Sequence, residues 1–262
     1  MSIRFVNVSK SFGPRKILQN ISFEILKGEI LFILGKSGVG KSVTLKQIVG
    51  LMKPDEGDIY LDGAPISKLS LEELAVIRSQ CGMVFQHPAL LDSLNVFENV
   101  AFGLGTPQYM KTHPTLLSQE AKKSVVIDKL KRVHLTDSIL ERFPPEISHG
   151  MQKRTSIART LAPEPSYILF DEPTTGLDPI TTRAITDLIF ELSRELKITS
   201  VVVSHDMACA LSIADRILVL DQGEILALGT PEEMRKSKIP LIVDFLSETL
   251  FQEDEITQKE VK

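Results

Sequence analysis

Short apolar runs recur along the chain and predict β-strands. Two early runs, Ile3 to Val8 and Ile21 to Ile25, are rich in β-branched and aromatic residues. A third, Asp58 to Leu61, leads into Asp62-Gly63, a dipeptide typical of a tight hairpin turn. The N-terminal part of the chain is therefore predicted to form short strands joined by turns.

A second class of run is nearly continuous in apolar character, as expected of strands that are buried on both faces. Glu29 to Leu34, Ile168 to Phe170 and Thr199 to Val203 belong to this class. The last two flank Thr181 to Leu196, whose apolar residues recur at helical spacing along one face. Strands that alternate with helices predict a parallel α/β sheet.

The chain between about residues 88 and 148 has a different pattern. Gln119 to Val133 carries apolar residues at roughly helical spacing among many lysines, and Pro144-Pro145 closes the segment. We expect a mostly helical lobe inserted into the main sheet. A last hairpin is predicted from Ile217 to Leu228, and beyond Ser247 the chain becomes polar, as expected of a frayed helix or tail.

Composition and charge narrow the class of protein. The 262 residues are 43% hydrophobic and 24% charged with a formal net charge of -4, which is typical of a globular domain and predicts no nucleic-acid partner. Cys81 and Cys209 lie far apart without a metal-binding spacing, so we expect small core residues in a reducing cytosol. No apolar window reaches the ~18 residues of a spanning helix, and no secretory signal is recognisable, so membrane association is expected through a partner.

A glycine-rich segment directly follows the strand predicted at Glu29 to Leu34. Gly35-Lys-Ser-Gly-Val-Gly-Lys41-Ser42 matches the phosphate-binding pattern G-x-x-x-x-G-K-[ST] and precedes a helical run. Glycines let successive N–H groups surround a phosphate, Lys41 reaches the β- and γ-phosphates, and Ser42 can ligate Mg²⁺. The predicted ATP contacts in this segment are Gly35, Lys36, Ser37, Gly38, Val39, Gly40, Lys41, Ser42 and Val43.

Further polar residues end other predicted strands, where ligands bind in α/β sheets. Asp171 and Glu172 follow Tyr167 to Phe170, and we expect Asp171 to hold Mg²⁺ and Glu172 to polarise the attacking water. A strand ending in Asp-Glu is common on its own, but beside a phosphate-binding loop it favours catalysis. His205 ends a third strand, where it can contact the γ-phosphate, and Gln86 can join the Mg²⁺ and water shell; alone, either residue would be an ordinary polar strand end.

The segment Ile147-Ser148-His149-Gly150-Met151 precedes a predicted helix that carries Arg154. Here the sequence resembles the ABC transporter ATPases, whose signature is Leu-Ser-Gly-Gly-Gln with an arginine three places later. In that family the signature serine and the helix N-terminus bind the γ-phosphate of ATP held by another subunit, as helix termini bind anions. The resemblance implies a head-to-tail dimer in which Ser148, His149 and Gly150 contact the partner's ATP.

The signature departs from the family pattern at two positions. Met151 replaces glutamine, and His149 replaces a glycine where the backbone passes close to phosphate. Two interpretations of His149 stay open: tolerated variation, or a slowed turnover. Because Ser148, Gly150 and Arg154 are intact, the first is favoured.

Other elements of the family pattern follow in order over nearly the whole chain. Phe12 is similar to the aromatic residue that stacks on adenine, and Thr175-Gly-Leu-Asp178 is similar to the loop that crosses the dimer interface. The resemblance implies a P-loop NTPase of the ABC ATPase fold, with a RecA-like parallel core, an N-terminal antiparallel β-subdomain and an inserted helical subdomain. The expected limits are 1–246 for the ATPase domain, about 88–160 for the helical subdomain and 247–262 for a C-terminal extension.

Within the family, the sequence is most similar to the ATPases of the Mla/Mce phospholipid-trafficking systems. The similarity lies in Ser42-Val-Thr-Leu45, Phe85-Gln86 with Ala89 to Phe102, Met151 in the signature, Asp178-Pro-Ile180 and Pro240 to Phe245. It implies a lipid-transport ATPase on the cytoplasmic face of the inner membrane. The expected partners are a Mla-type permease, an Mce-domain lipid-binding protein and a STAS-domain regulator.

Two alternatives to lipid transport stay open. One is the ATPase of an importer for polar amino acids or other small solutes, because Val96-Phe-Glu-Asn-Val100 also resembles such proteins. The other is a non-transport ABC ATPase, which is disfavoured because the chain lacks coiled coils, tandem cassettes and a basic surface.

Overall fold

The computed structural model describes residues 2–113 and 118–248. In these ranges the chain forms two sheets and a set of helices. The strands are β1 (Ile3–Phe12), β2 (Arg15–Ile25), β3 (Ile30–Leu34), β4 (Glu56–Leu61), β5 (Ala64–Pro65), β6 (Cys81–Val84), β7 (Tyr167–Asp171), β8 (Thr199–Ser204), β9 (Arg216–Asp221) and β10 (Glu224–Gly229).

The first sheet is antiparallel and has the order β2-β1-β4-β5. The predicted Asp62-Gly63 turn is confirmed, with left-handed φ values of 51° and 85°. β1 and β2 extend further than predicted, because the pairs Lys10↔Leu18, Ser11↔Lys16 and Phe12↔Arg15 continue the ladder toward the turn. Ile17 and Leu18 are buried in this extension, but the polar Ser11, Arg15 and Lys16 interrupt the apolar pattern around them.

The second sheet has the order β10-β9-β3-β8-β7-β6, and all its pairs are parallel except β9 with β10. Its central strands are buried on both faces, as predicted. On β3, Ile30, Phe32 and Leu34 face one hydrophobic cluster, whereas Leu31 and Ile33 face the other. Burying each such side chain contributes about 1.5–3 kcal/mol, so both clusters fix the sheet between its two covering layers.

Helices cover the sheet and account for the predicted α/β alternation. They are α1 (Lys41–Ile48), α2 (Leu71–Ser79), α3 (Val96–Ala101), α4 (Pro107–Thr112), α5 (Gln119–Arg132), α6 (His149–Leu161), α7 (Pro179–Glu195), α8 (Met207–Ile213) and α9 (Pro231–Arg235). Helices α3 to α6 all lie between β6 and β7 in sequence, as expected of an inserted helical lobe. No helix in the described residues is long and apolar enough to span a membrane.

The end of the described chain is helical over residues 240–248. Ile242 and Phe245 of this helix are buried in the hydrophobic cluster that also covers one face of β3. The polar extension expected from Ser247 falls mostly on residues 249–262, which lie outside the described residues. The two cysteines differ in depth: Cys209 is buried and Cys81 is partly buried, and burial raises the pKa of each thiol to about 12.

Candidate nucleotide-binding site

The loop between β3 and α1 requires glycine at two positions for steric reasons. A Cβ atom at Gly35 would lie 2.5 Å from the carbonyl oxygen of Leu220, and one at Gly40 would lie 2.8 Å from Leu18. Gly40 also has a φ of 114°, which side chains rarely tolerate. The chain therefore turns sharply at Gly40 and enters α1 at Lys41, with the N-terminal N–H groups of the helix directed at the loop.

Lys41 lies inside this loop and is only 7% exposed. Its ammonium donates to the carbonyl oxygens of Gly35 at 2.7 Å and Lys36 at 3.2 Å. It also lies 3.2 Å from a carboxylate oxygen of Glu172. The cation is thus held at the centre of the site by partners that a phosphate group can replace.

Ser42 and Asp171 meet where α1 faces the end of β7. The Ser42 hydroxyl donates to the Asp171 carboxylate at 2.8 Å. Strand β8 lies between β3 and β7 and pairs with both in parallel, with Leu34 beside Ser204 and Asp171 beside Val203. The carboxyl ends of β3 and β7 therefore lie at the same edge of the sheet, which brings Ser42 close to Asp171. A hydroxyl and a carboxylate are hard oxygen donors, the type that suits Mg²⁺ bound together with phosphate oxygens.

Glu172 follows β7 in a left-handed conformation with a φ of 49°. Its carboxylate accepts from His205 Nδ1 at 2.8 Å and from the Thr175 hydroxyl at 3.0 Å. Burial alone would raise the pKa of Glu172, but its contacts with His205, Lys41 and Thr175 outweigh that effect and lower it. The hydrogen bond to Glu172 raises the pKa of His205. Glu172, the predicted base, and His205, predicted to contact the γ-phosphate, are therefore coupled in one pair.

Lys41, Ser42, Glu172, Thr175 and His205 line a cavity of about 630 Å³. Gln86 also lies on the wall of this cavity, which it shares with Lys41, Glu172 and His205. The wall comprises Arg15, Ile17, Lys36, Ser37, Gly38, Gly40, Lys41, Ser42, Val43, Gln86, Glu172, Thr175, His205, Phe245 and Glu248.

Phe12, predicted to stack on adenine, lies beside the cavity and is outside that wall. Its ring is 49% exposed at the end of β1, and it is the direct cross-strand neighbour of Arg15. Opposed residues of a strand pair present their side chains on the same face. The Arg15 guanidinium donates to the carbonyl oxygen of Gly38 at 3.3 Å, so an exposed aromatic ring and a cation stand together at the cavity mouth.

The residues predicted to act on a partner's ATP lie outside the cavity, on one exposed face. Ser148 precedes α6 and accepts from the Met151 N–H, and Asp178 caps α7 in the same way. A Cβ atom at Gly150 would be 3.3 Å from Thr181 of α7, so the two helix N-termini lie side by side. Ser148, His149 and Asp178 are exposed. We call these three residues together with Gly150 the signature face.

The structure adds site residues that the sequence reasoning missed. Arg15 and Ile17 enter through their position on the β-hairpin, and the strand pairing with Phe12 is the signal that could have identified Arg15. Thr175 was recognised as part of an interface loop and also orients Glu172. Phe245 and Glu248 have no local signal, because only the folded chain brings residues 240–248 to this cavity.

Comparison with known proteins agrees with this geometry. The family model described as ABC transporter matches residues 18–175, more than half of the chain. The intermembrane phospholipid transport system ATP-binding protein MlaF of Haemophilus influenzae is 39% identical over 93% of this chain and 89% of its own length. The methionine import ATP-binding protein MetN of Carboxydothermus hydrogenoformans is 42% identical over 83% of this chain, which spans 62% of that protein.

A solved structure gives the same result for the fold. The ATP-binding cassette MJ0796, solved as a dimer in a post-hydrolysis state bound to ADP and Pi, superposes with a TM-score of 0.78 at 34% identity, covering 87% of this chain and 98% of that one. The predicted ABC ATPase fold is thereby confirmed. With the family match and the relatives, it shows that the chain belongs to the ABC transporter family, as an ATP-binding and ATP-hydrolysing subunit.

Proposed function

We propose that the chain holds ATP with Mg²⁺ in the cavity beside the Gly35 to Ser42 loop and works as one half of a head-to-tail dimer that drives a membrane permease. The observation that carries the proposal is the convergence of complementary polar groups at the ends of three adjacent parallel strands. These groups are the ammonium of Lys41, the hydroxyl of Ser42, the carboxylates of Asp171 and Glu172, and the imidazole of His205.

Each group has a role that follows from its chemistry. The loop N–H groups, from Gly35 to Val43, and the Lys41 ammonium take the β- and γ-phosphates. Ser42, Gln86 and Asp171 supply oxygen atoms for Mg²⁺, which when bound neutralises charge on the phosphates. Phe12 offers its exposed ring to the adenine.

Hydrolysis is assigned to the coupled pair at the end of β7 and β8. Glu172, whose lowered pKa keeps it ionised at neutral pH, orients the attacking water and accepts its proton. His205 holds the Glu172 carboxylate and reaches the γ-phosphate when nucleotide is bound. Before that, ATP must displace Lys41 from Glu172 and from the loop carbonyl groups.

In the proposed dimer, the signature face of each chain completes the nucleotide site of the partner chain. Ser148, His149 and Gly150 at the N-terminus of α6 approach the γ-phosphate held by the partner, and Asp178 crosses the same interface. The dimeric ATP-binding cassette of the same fold supports this arrangement. ATP binding closes the dimer, and hydrolysis with product release reopens it.

The transported cargo is assigned to phospholipid. Support comes from the 39% identity over 93% of the chain to a phospholipid transport ATPase, together with the sequence similarity at Ser42 to Leu45 and Pro240 to Phe245. The partners are then a Mla-type permease in the inner membrane, an Mce-domain lipid-binding protein and a STAS-domain regulator, with the chain on the cytoplasmic face. Its ATPase domain spans 1–246, with the helical subdomain at about 88–160 and the extension at 247–262.

An importer ATPase for a small polar solute is the second candidate. The 42% identity to a methionine import ATPase favours it, and the two share the catalytic chemistry. The cargo depends on the permease, so the permease distinguishes the candidates.

The test is to purify the tagged chain with its membrane subunits from native membranes, using Glu172→Gln to stabilise the ATP-bound complex. We expect a permease that carries phospholipid enriched over the bulk membrane. A solute-import permease without enriched lipid would reject lipid transport, and recovery of ribosomes or DNA instead would reject transport altogether.

A further inference from the structure

Helix α6 directs two cationic side chains into the protein. Lys153 is fully buried, with 0% exposure, and Arg159 is partly buried. None of the ion pairs formed within residues 2–113 and 118–248 includes either residue. A buried charge without a carboxylate partner is costly unless hydrogen bonds compensate for its lost hydration, so these cations need other partners.

Their partners are the backbone carbonyl groups of residues 85–89, which we call segment 85–89. The Lys153 ammonium donates to the Phe85 carbonyl at 3.1 Å and also to the Gln86 carbonyl. The Arg159 guanidinium donates to Ala89 at 2.7 Å and to Pro88 at 3.2 Å. One helix therefore holds four carbonyl groups of a five-residue segment through two cations.

Segment 85–89 needs these partners because the sheet ends before it. β6 stops at Val84, and Ala89 turns through a left-handed φ of 49°. α6 packs directly on the strand, since a Cβ atom at Gly82 would collide with the Thr160 side chain. Among the described residues, no strand pairs with the segment after Val84, and side chains of α6 donate to its carbonyl groups instead.

The other side of segment 85–89 carries the functional group. Gln86 lines the nucleotide cavity and Phe85 is 41% exposed, so the side chains face outward while the backbone is held from behind. The helix that holds it begins at His149, directly after its N-cap Ser148 on the signature face. Helix α6 thus connects Gln86, proposed to act on the nucleotide of its own chain, with Ser148, proposed to act on the nucleotide of the partner.

We propose that Lys153 is a positioning residue that fixes segment 85–89 to α6, so that Gln86 in the cavity and Ser148 on the signature face move as one unit. Lys153 rather than Arg159 is the critical link, because it holds the Gln86 carbonyl itself. Desolvation lowers the pKa of Lys153 to about 8, which agrees with a cation retained at a cost for its contacts. The functional part of this inference rests on the proposed roles of Gln86 and Ser148.

The first measurement is hydrogen exchange of the nucleotide-free protein, which is independent of those roles. In Lys153→Met, which keeps the length and removes the donors, we expect exchange of the backbone amides in segment 85–89 to be at least about tenfold faster. Ile157→Ala, a cavity-forming change at a fully buried position of the same helix, is the matched control and should leave exchange in this segment at the wild-type rate. Unchanged exchange in Lys153→Met would overturn the proposal.

The second measurement is ATP hydrolysis. We expect Lys153→Met to lower kcat about tenfold with less than about a twofold change in KM, since the Lys41 loop is untouched. Lys153→Arg, which retains donors, should recover kcat to within about threefold of wild type. A fall in kcat no larger than that of Ile157→Ala would overturn the positioning role even if exchange is faster.

Two further outcomes are also decisive. If Lys153→Met does not fold, Lys153→Gln, which keeps an uncharged N–H donor group on a shorter side chain, replaces it and should show intermediate exchange and kcat; wild-type values for both would overturn the proposal. If the wild-type protein does not hydrolyse ATP, the proposed function fails, and the exchange measurement alone decides whether Lys153 fixes segment 85–89.

Discussion

The nucleotide cavity and the signature face differ in how far the chain itself satisfies their polar groups. In the cavity, Lys41, Glu172 and His205 already have partners within the chain, and most of these partners are partly or fully buried. On the signature face, Ser148 and Asp178 only cap their own helices and otherwise face outward. The cavity is therefore organised within one chain, whereas under the proposed arrangement the signature face acts only on a ligand that another molecule presents.

The largest expected effect comes from removing the predicted base in the nucleotide cavity. Glu172→Gln preserves the shape but removes the base, so kcat should fall by about 10²–10⁴ while ATP binding persists. The ATP-bound variant should accumulate as a dimer in size-exclusion chromatography. Glu191→Gln, at an exposed glutamate paired with His134, is the control and should behave as wild type. Normal hydrolysis by Glu172→Gln would reject Glu172 as the base.

The next effect tests the signature face. Ser148→Ala should lower ATP hydrolysis by about 10², because the hydroxyl and the capped helix end act on the partner's phosphate. Binding of ATP to the monomer should be unchanged, since Ser148 lies outside the cavity wall. Both the dimer population at saturating ATP and the rate are measured.

Loss of a helix cap needs a separate control, because it costs about 1 kcal/mol in itself. Ser118→Ala removes the equivalent cap of α5, which accepts from the Ala121 N–H. Equal loss of activity in Ser118→Ala and Ser148→Ala would mean that Ser148 matters only for stability.

A smaller effect concerns the cavity mouth, where Arg15 contacts the Gly38 carbonyl beside Phe12. Arg15→Ala should raise KM for ATP about tenfold without changing kcat, because the guanidinium contacts the Gly38 carbonyl of the phosphate-binding loop and is expected to contribute to binding alone. Lys16→Ala, at the adjacent strand position on the opposite face, is the control. An unchanged KM would exclude Arg15 from nucleotide binding.

The cavity was largely predictable from sequence because its parts are local. The turn at Gly40, the apolar strands before Gly35 and Asp171, and the glycine-lysine spacing each act within a few residues. Because neighbouring strands of the sheet are parallel, their carboxyl ends meet at one edge. Residues that follow these strands can therefore be predicted to lie together without any long-range sequence signal. Lys41, Ser42, Gln86, Glu172 and His205 therefore line one cavity, and Asp171 accepts a hydrogen bond from Ser42.

The residues that sequence missed depend on packing between distant parts of the chain. Lys153 looks like one of many helical lysines, and only the fold shows it buried against Phe85. Glu248 reaches the cavity wall because residues 240–248 pack back on the core. Apolar periodicity identifies the elements but does not specify which polar groups they bury together.

The pH dependence of stability tests whether Glu172 and His205 titrate as a coupled pair. Because the pKa of His205 is raised in the folded protein, protonated His205 stabilises the fold below about pH 6.5. This stabilisation is lost as pH rises through the pKa that His205 has in the folded state. Because the pKa of Glu172 is lowered in the folded protein, ionised Glu172 stabilises the fold above about pH 4.5. This stabilisation is lost as pH falls through the pKa that Glu172 has in the folded state. The difference in Tm between wild type and His205→Gln should therefore be largest between about pH 4.5 and 6.5 and decrease on either side. A difference that is constant with pH would show that the pair does not titrate as a unit.

The smallest expected effect distinguishes the two interpretations of His149. His149 is the exposed first residue of α6, and Ser148 caps the helix whichever residue follows it. His149→Gly gives the backbone more freedom to approach a phosphate, so kcat should equal wild type or rise by up to about threefold. His149→Ala removes the imidazole without adding that freedom, so a gain confined to glycine would identify backbone approach as the cause. A steep fall in both variants would instead mean that the imidazole itself contacts the partner's nucleotide, and the signature face would then bind through a side chain that the family pattern lacks.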